Sequence, residues 1–407
     1  MNKQSIQSVI MVHTLQEAEN YCNSFIAPMG KHRERTLDRM KTLMDLLGNP
    51  QKTVTVIHVG GSTGKSSTAY IIAVLLETTG LRVGLHIKPH LQKITERCCI
   101  NRIPIPDDQF IAYVNAIQPY INTMIEKPTY FEILVAITLW YFAKNHVDVA
   151  VMEVGRGGRV DATNICSSKL YVLTNVTLMH TDILGKTLED ITKEKMGIVK
   201  HKNMKVITGV SQPKLRSYLQ KLGRTLHIPI TMVNITKHLT PLEQNQRLAI
   251  AAVKLFTSIT ESQIQQCLST IQIPGRMEIW VVNGQTFIMD NGKTNKFLTL
   301  LPYRFPKKNM HVVLPAQLLL NTKALIKQTA PFTSEFIFVS FPERRPGKMD
   351  RALMEKSIQK KHRTFIDIEK FIRTYMNKPN EDVFLITGSL KLIGAIRTIL
   401  KPSIELK

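Results

Sequence analysis

Residues 53–67 read TVTVIHVGGSTGKSS, and no other stretch limits the folds open to this chain as much. A β-branched run predicts a buried strand. It ends in Gly60-Gly61-Ser62-Thr63-Gly64-Lys65-Ser66-Ser67, and an apolar helical pattern follows at once. Strand, glycine-rich loop and helix in that order make a phosphate cradle. The glycines bring backbone N–H groups close to an anion, and the helix N-terminus faces it with partial positive charge. Lysine and hydroxyl groups reach the phosphates and a metal. A nucleoside triphosphate is the expected ligand. The common Walker pattern needs a glycine five residues before the Gly of Gly-Lys. Val59 holds that place, so the loop is a variant.

The remaining periodicity predicts where this unit sits. Residues 14–47 read as helical. Strands are expected at 53–59, 81–87, 147–154, 170–176 and 204–208. Helices are expected at 65–79, 107–125, 130–145, 187–199, 213–222, 241–257 and 260–270. This alternation implies an α/β fold, with a mostly parallel sheet flanked by helices. Ile273-Pro274-Gly275-Arg276 punctuates the chain. A hairpin is expected next, 277–282 with 285–290, turning at Asn283-Gly284. Strands near 310–314, 335–340, 363–366 and 382–387 and a last helix at 390–400 complete a second alternation. The expected domains are a P-loop-type unit over 1–273 and a smaller Rossmann-like α/β unit over 277–407.

Bulk properties exclude several classes. With 407 residues and 43% hydrophobic content, the chain has material for large cores. No apolar run approaches the roughly 18 residues of a membrane span, and the first residues lack a signal-peptide core, so the cytoplasm is the expected location. Five cysteines without CxxC spacing suggest neither a disulfide framework nor a zinc site, and Cys98-Cys99 reads as part of a strand. The formal charge of +23 comes from 54 Lys and Arg against 31 acids. Basic clusters at 31–35, 344–351 and 360–363 have no interleaved aromatic residues, which argues against nucleic-acid binding; the excess reads first as a compositional bias of the organism and second as steering of small anionic substrates.

Two further stretches bear on the chemistry. Residues 147–164, VDVAVMEVGRGGRVDATN, predict a buried strand ending at Glu153, with Gly155, Gly157 and Gly158 after it. A carboxylate at a strand's carboxyl end beside a phosphate loop suits a Mg²⁺ ion bridging β- and γ-phosphates. The competing reading pairs Glu153 with Arg156 or Arg159. In residues 171–200, His180 falls just past another strand end, and Lys195 lies in a helix that begins near Thr187. Taken singly, these read as a loop histidine and a surface lysine.

Together the stretches resemble the folylpolyglutamate synthase/dihydrofolate synthase family of the Mur ligase superfamily. Leu37-Asp38-Arg39-Met40 and Leu47-Gly48-Asn49-Pro50-Gln51 look like that family's N-terminal segment. Residues 61–67 parallel its GTNGKGS, and Lys88-Pro89-His90-Leu91 its SPHL. Thr129-Tyr130-Phe131-Glu132, residues 153–164, His180-Thr181, Leu184-Gly185 with Thr187-Leu188-Glu189, and Glu194-Lys195 with Gly197-Ile198 match closely. So do Asn245 with Ala249, Pro274-Gly275-Arg276, and Thr387-Gly388-Ser389-Leu390 with Gly394.

The resemblance implies an ATP- and Mg²⁺-dependent ligase. It would add L-glutamate to a folate or pteroate carboxylate through an acyl phosphate, working as a monomer. Gly61, Ser62, Thr63, Gly64, Lys65, Ser66 and Ser67 would hold ATP, with Asn245, Arg276 and Asp290. Glu153 would bridge two Mg²⁺ ions, His180 would bind the second, and Ser67 would add a further metal ligand. Lys65, Glu153, His180 and Lys195 would be catalytic, Lys195 as a carbamylated lysine. Arg39, Thr129, Tyr130, Phe131, Glu132, Val160, Asp161 and Ala162 would line the substrate site.

The chain departs from the family at several places. Lys88 stands where the family has a metal-binding serine. A protonated lysine repels a metal and suits a γ-phosphate or a substrate carboxylate instead. Met179 replaces an Asp. In residues 290–295, DNGKTN, only Asp290 of the family's DGAHNP stays in place, and Lys293 replaces its His. These changes leave open a Mur-type ligase with another carboxylate acceptor, or an ATP-binding protein without turnover.

Overall fold

In the computed structural model, the described residues are 10–28, 34–236, 238–291, 296–306, 308–316, 322–341, 362–376 and 381–400. The expected basic runs at 31–33, 344–351 and 360–361, and the segment 292–295 with Lys293, lie outside them. The chain divides into two compact units, Met1–Ile271 and Gln272–Lys407.

The first unit is built on an eight-stranded sheet. Its strands are β1 (Val56–Gly60), β2 (Val83–His86), β3 (Cys99–Ile100), β4 (Ile103–Pro104), β5 (Val149–Glu153), β6 (Ser168–Leu173), β7 (Lys205–Thr208) and β8 (Ile230–Met232). They run in the order β4-β3-β2-β5-β1-β6-β7-β8. From β2 to β8 neighbours pair in parallel, while β3 and β4 add an antiparallel edge. Every residue of β1 and β5 is buried, which explains their unbroken apolar runs, since both faces of a parallel sheet are covered. The chain lays β2 and β5 on one side of β1 and then β6, β7 and β8 on the other. The sheet therefore has its topological switch beside β1, where such folds bind ligands.

The helix Lys65–Glu77 is apolar on most of its surface because it lies between the sheet and the helix Pro241–Phe256. The helix Tyr130–Lys144 starts at a capping box in which Thr129 and Glu132 satisfy each other's backbone N–H groups. The helical stretch expected over 14–47 is two helices, Leu15–Ser24 and Asp38–Leu46, and Pro28 lies in the segment between them. Thr53, expected to open the first strand, instead closes the 3₁₀ turn Pro50–Thr53, and β1 begins at Val56. Cys99 lies in β3, whereas Cys98 closes the turn before it. All five cysteines are free and buried. Among the described residues, no helix is long and apolar enough to cross a membrane.

The second unit has a six-stranded sheet in the order β13-β12-β11-β14-β10-β9. The strands are β9 (Glu278–Val282), β10 (Gln285–Asp290), β11 (Met310–Pro315), β12 (Glu335–Ser340), β13 (His362–Asp367) and β14 (Val383–Thr387). All pair in parallel except β9, which forms the expected hairpin with β10. Asn283 and Gly284 both take positive φ (50° and 80°) at that turn, which suits the right-handed twist of the two strands. Phe336, Phe338, Leu385 and Leu314 are fully buried in its core.

Candidate active site

The carboxyl ends of β2, β5, β1 and β6 lie side by side, because His86 is in register with Met152, Val59 with Glu153, and Gly60 with Leu173. This alignment places Lys88, Glu153, the phosphate loop and Thr174-Asn175 along one rim of the sheet.

The loop is gripped from the β6 side. Asn175 accepts from the Ser62 N–H through its backbone carbonyl (3.0 Å) and from the Thr63 N–H through Oδ1 (3.0 Å), and its Nδ2 donates to Thr63 Oγ1 (2.8 Å). Thr174 Oγ1 donates to the Thr63 carbonyl at 2.6 Å. Gly61 has φ +138°, and a Cβ there would lie 1.9 Å from Thr174 Oγ1. Gly64 has φ +77°, and a Cβ there would lie 2.4 Å from Asn245 Oδ1. No side chain fits at either position, so the loop can present bare backbone to an anion. Asn245 Oδ1 also accepts from Thr68 Oγ1 (3.3 Å), which ties the helix Pro241–Phe256 to the loop's own helix.

Two lysines converge on one carbonyl. Lys65 Nζ donates to Gly61 O and Ser62 O, each at 3.2 Å, and Lys195 Nζ donates to Gly61 O at 2.9 Å. Lys195 is buried, contrary to the surface charge its helical position alone suggests. Burial, and then the charges of Lys65 and Lys88, push its pKa down to about 8, against the opposing pull of Asp161 and Glu194. His180 is exposed at the N-terminus of the helix Thr181–Leu184. Partial desolvation and then Arg156 lower its pKa, with Lys195 and Lys65 adding to the effect.

Against these cations stands a buried carboxylate. Glu153 Oε2 accepts the Lys88 N–H at 2.9 Å, and neither Arg156 nor Arg159 pairs with Glu153. Arg159 instead binds Glu194 at 2.9 Å. Ser66 Oγ donates to the Lys88 carbonyl at 3.1 Å, while Ser67 is buried in the first turn of the helix.

The expected substrate residues divide by role in the fold. Arg39 and Glu132, both buried, form an ion pair with Nε and Nη2 each 3.2 Å from a carboxylate oxygen. Tyr130 lies under the Arg97 guanidinium (5.3 Å), and the Phe131 ring is 5.9 Å from that of His86. Asp161 folds the glycine-rich loop onto itself: Oδ2 accepts the Arg156 N–H (2.8 Å), and Oδ1 accepts the Thr163 N–H and hydroxyl (3.1 and 2.7 Å). Val160 and Ala162 flank it.

A profile of the Mur ligase middle domain matches residues 59–280. The dihydrofolate synthase/folylpolyglutamate synthase of Bacillus subtilis is 30% identical over 412 residues, covering 90% of this chain and 95% of that protein. The chain belongs to this family. Among solved structures, the apo form of L. casei folylpolyglutamate synthase superposes with a TM-score of 0.80 at 26% identity, over 96% of this chain and 100% of that one. An AMPPCP complex of a folylpolyglutamate synthase gives 0.79 at 25% identity, with the same coverage.

Two residues expected at the nucleotide site of this synthase-family chain lie in the second unit. Asp290 ends β10 beside Thr387 of β14, is buried, and accepts the Met277 N–H through Oδ1 at 3.1 Å. Arg276 closes the turn after Ile273, and its Nη1 donates to Gly275 O at 3.1 Å. Sequence reasoning missed Thr174, Asn175 and Arg97. Thr174 and Asn175 follow a strand end beside the loop's strand, and that position was the available signal.

Proposed function

We propose that this synthase-family chain is an ATP-dependent ligase that joins L-glutamate to a folate or pteroate carboxylate, as a monomer in the cytoplasm. The observation that supports this best is the convergence of Lys65 and Lys195 on the phosphate loop, with the Lys88 backbone and the buried Glu153 beside it. Two cations at a glycine-rich loop fit a triphosphate, and one carboxylate at its edge fits a metal–nucleotide pair.

The donor set suits Mg²⁺ as it is usually bound, by one or two protein oxygens with phosphates and water. Ser67 and Glu153 would hold one ion, and Glu153 with His180 a second. Among the described residues no cluster of three or more His, Cys, Asp and Glu forms a metal cage. When bound, magnesium would neutralise charge on the β- and γ-phosphates.

The chain's own groups then do the following. The loop's N–H groups and the helix N-terminus fix the triphosphate. Lys65 leaves its loop carbonyls for the β- and γ-phosphates. A carboxylate is a poor acyl donor, so its oxygen attacks the γ-phosphorus and the bond to ADP breaks, giving an acyl phosphate. The glutamate amine attacks the acyl carbon, loses a proton, and phosphate leaves. Lys65 stabilises charge on the phosphoryl group in flight. Lys195, with its lowered pKa, carries a neutral fraction near neutral pH that can take up CO₂ and become an anion.

An ADP-release screen tests the reading, with dihydropteroate, tetrahydrofolate and an N-acetylmuramyl acceptor, each with and without glutamate. The expected result is release that needs a pteroate or folate together with glutamate. Release only with the muramyl acceptor moves the chain to another acceptor class. Nucleotide binding without release under any acceptor makes it a non-catalytic ATP binder.

A further inference from the structure

We propose that Lys88 binds the γ-phosphate of the nucleotide, so that the site tells ATP from ADP through a side chain outside the phosphate loop. This rests on the ATP-ligase reading above.

Lys88 is held by its main chain on both sides. Its N–H donates to Glu153 Oε2 at 2.9 Å, and its carbonyl accepts from Ser66 Oγ at 3.1 Å. The residue is therefore pinned between the buried carboxylate and the first turn of the loop's helix. The side chain itself is half-buried, and among the described residues its ammonium makes neither an ion pair nor a hydrogen bond. Lys195, whose pKa is lowered first by burial and then by Lys65, is lowered further by the Lys88 charge.

With no ionic partner of its own among the described residues, the ammonium can take an arriving anion without giving up another contact. The position selects the phosphate. Lys88 follows β2, which is separated from β1 by β5, so it reaches the loop from across Glu153. Thr174 and Asn175 occupy the opposite side of the loop. The loop's own N–H groups serve the phosphates nearest the loop, and Lys65 spans from them to the γ-phosphate from the loop side. A cation entering from beyond Glu153 meets the outermost phosphate, which is the one transferred.

Calorimetric titration of wild type, Lys88→Met and Lys88→Arg with ADP and with AMPPCP tests this, first in EDTA and then with Mg²⁺. One charge-assisted contact predicts that Lys88→Met weakens AMPPCP about tenfold and leaves ADP within about twofold, with Lys88→Arg near wild type. Equal losses for both nucleotides, no loss for either, or an effect confined to the KM for glutamate or folate overturns the inference alone. A folded wild type that binds neither nucleotide overturns the ligase reading and this inference with it. Circular dichroism melts check that each variant is folded.

Discussion

Lys195 is held at a cost to stability, and replacing it with methionine should make the protein more stable while disabling the site. Its pKa falls from 10.5 to about 8 because the amine is buried beside Lys65 and Lys88. A fall of that size corresponds to about 3 kcal/mol against carrying the charge in the folded state. Methionine keeps the length and apolar character of the stem. It gives up the hydrogen bond to Gly61 O, worth about 1 kcal/mol, but that carbonyl keeps Lys65 as a donor. The net gain is about 2 kcal/mol at pH 7. The sign follows from proton counting. Between the folded pKa near 8 and the unfolded pKa near 10.5, the unfolded chain binds more protons, so wild-type stability rises with pH through that window. The penalty is fully present below 8 and gone above 10.5, so the advantage of Lys195→Met shrinks across the same interval. Urea unfolding followed by far-UV circular dichroism, at several pH values in CO₂-free buffer, measures it. A variant no more stable than wild type at pH 7, or a difference independent of pH, refutes the reasoning.

Three other perturbations follow from the same geometry. Arg39→Met leaves Glu132 as a buried, unpaired carboxylate and should cost about 3 kcal/mol in urea unfolding, whereas a loss below about 1 kcal/mol would show that the pair carries little. Gly61→Ala forces a Cβ to 1.9 Å from Thr174 Oγ1, and calorimetry should find nucleotide binding weakened at least about tenfold; unchanged affinity would mean the loop is not held as described. Asp161→Asn removes a charge that supports the Lys195 ammonium, so the midpoint of pH-dependent amine labelling at Lys195, read by mass spectrometry, should move below its wild-type value.

Much of the site was legible because its parts are local. The strand–loop–helix at 53–67 carries its own periodicity and glycines, and Glu153 closes an apolar run. What stayed hidden depends on distant pairing. The burial of Lys195 follows from the approach of its helix to Gly61, which no helical spacing reveals. Arg39 and Glu132 are 93 residues apart, and their ion pair appears only when two helices pack. Lys88 acts on Glu153 through its backbone N–H, a group that its side-chain type does not announce. In the fold, β3 and β4 have two residues each and β8 has three, too few to show a period of two. The departure at 292–295 lies outside the described residues, and its consequence rests on the acceptor screen.

The central claim is that the loop aims a γ-phosphate at a carboxylate. The most direct measurement uses a folate acceptor labelled with ¹⁸O in the reacting carboxylate, together with ATP, Mg²⁺ and glutamate, and determines the isotope content of the released phosphate. An acyl phosphate carries one carboxylate oxygen to phosphorus, and attack by the glutamate amine breaks that oxygen's bond to carbon. The account predicts one ¹⁸O atom in each phosphate formed, in step with ADP and glutamylated product, and none of the three from Lys65→Ala. Turnover that yields only unlabelled phosphate contradicts it.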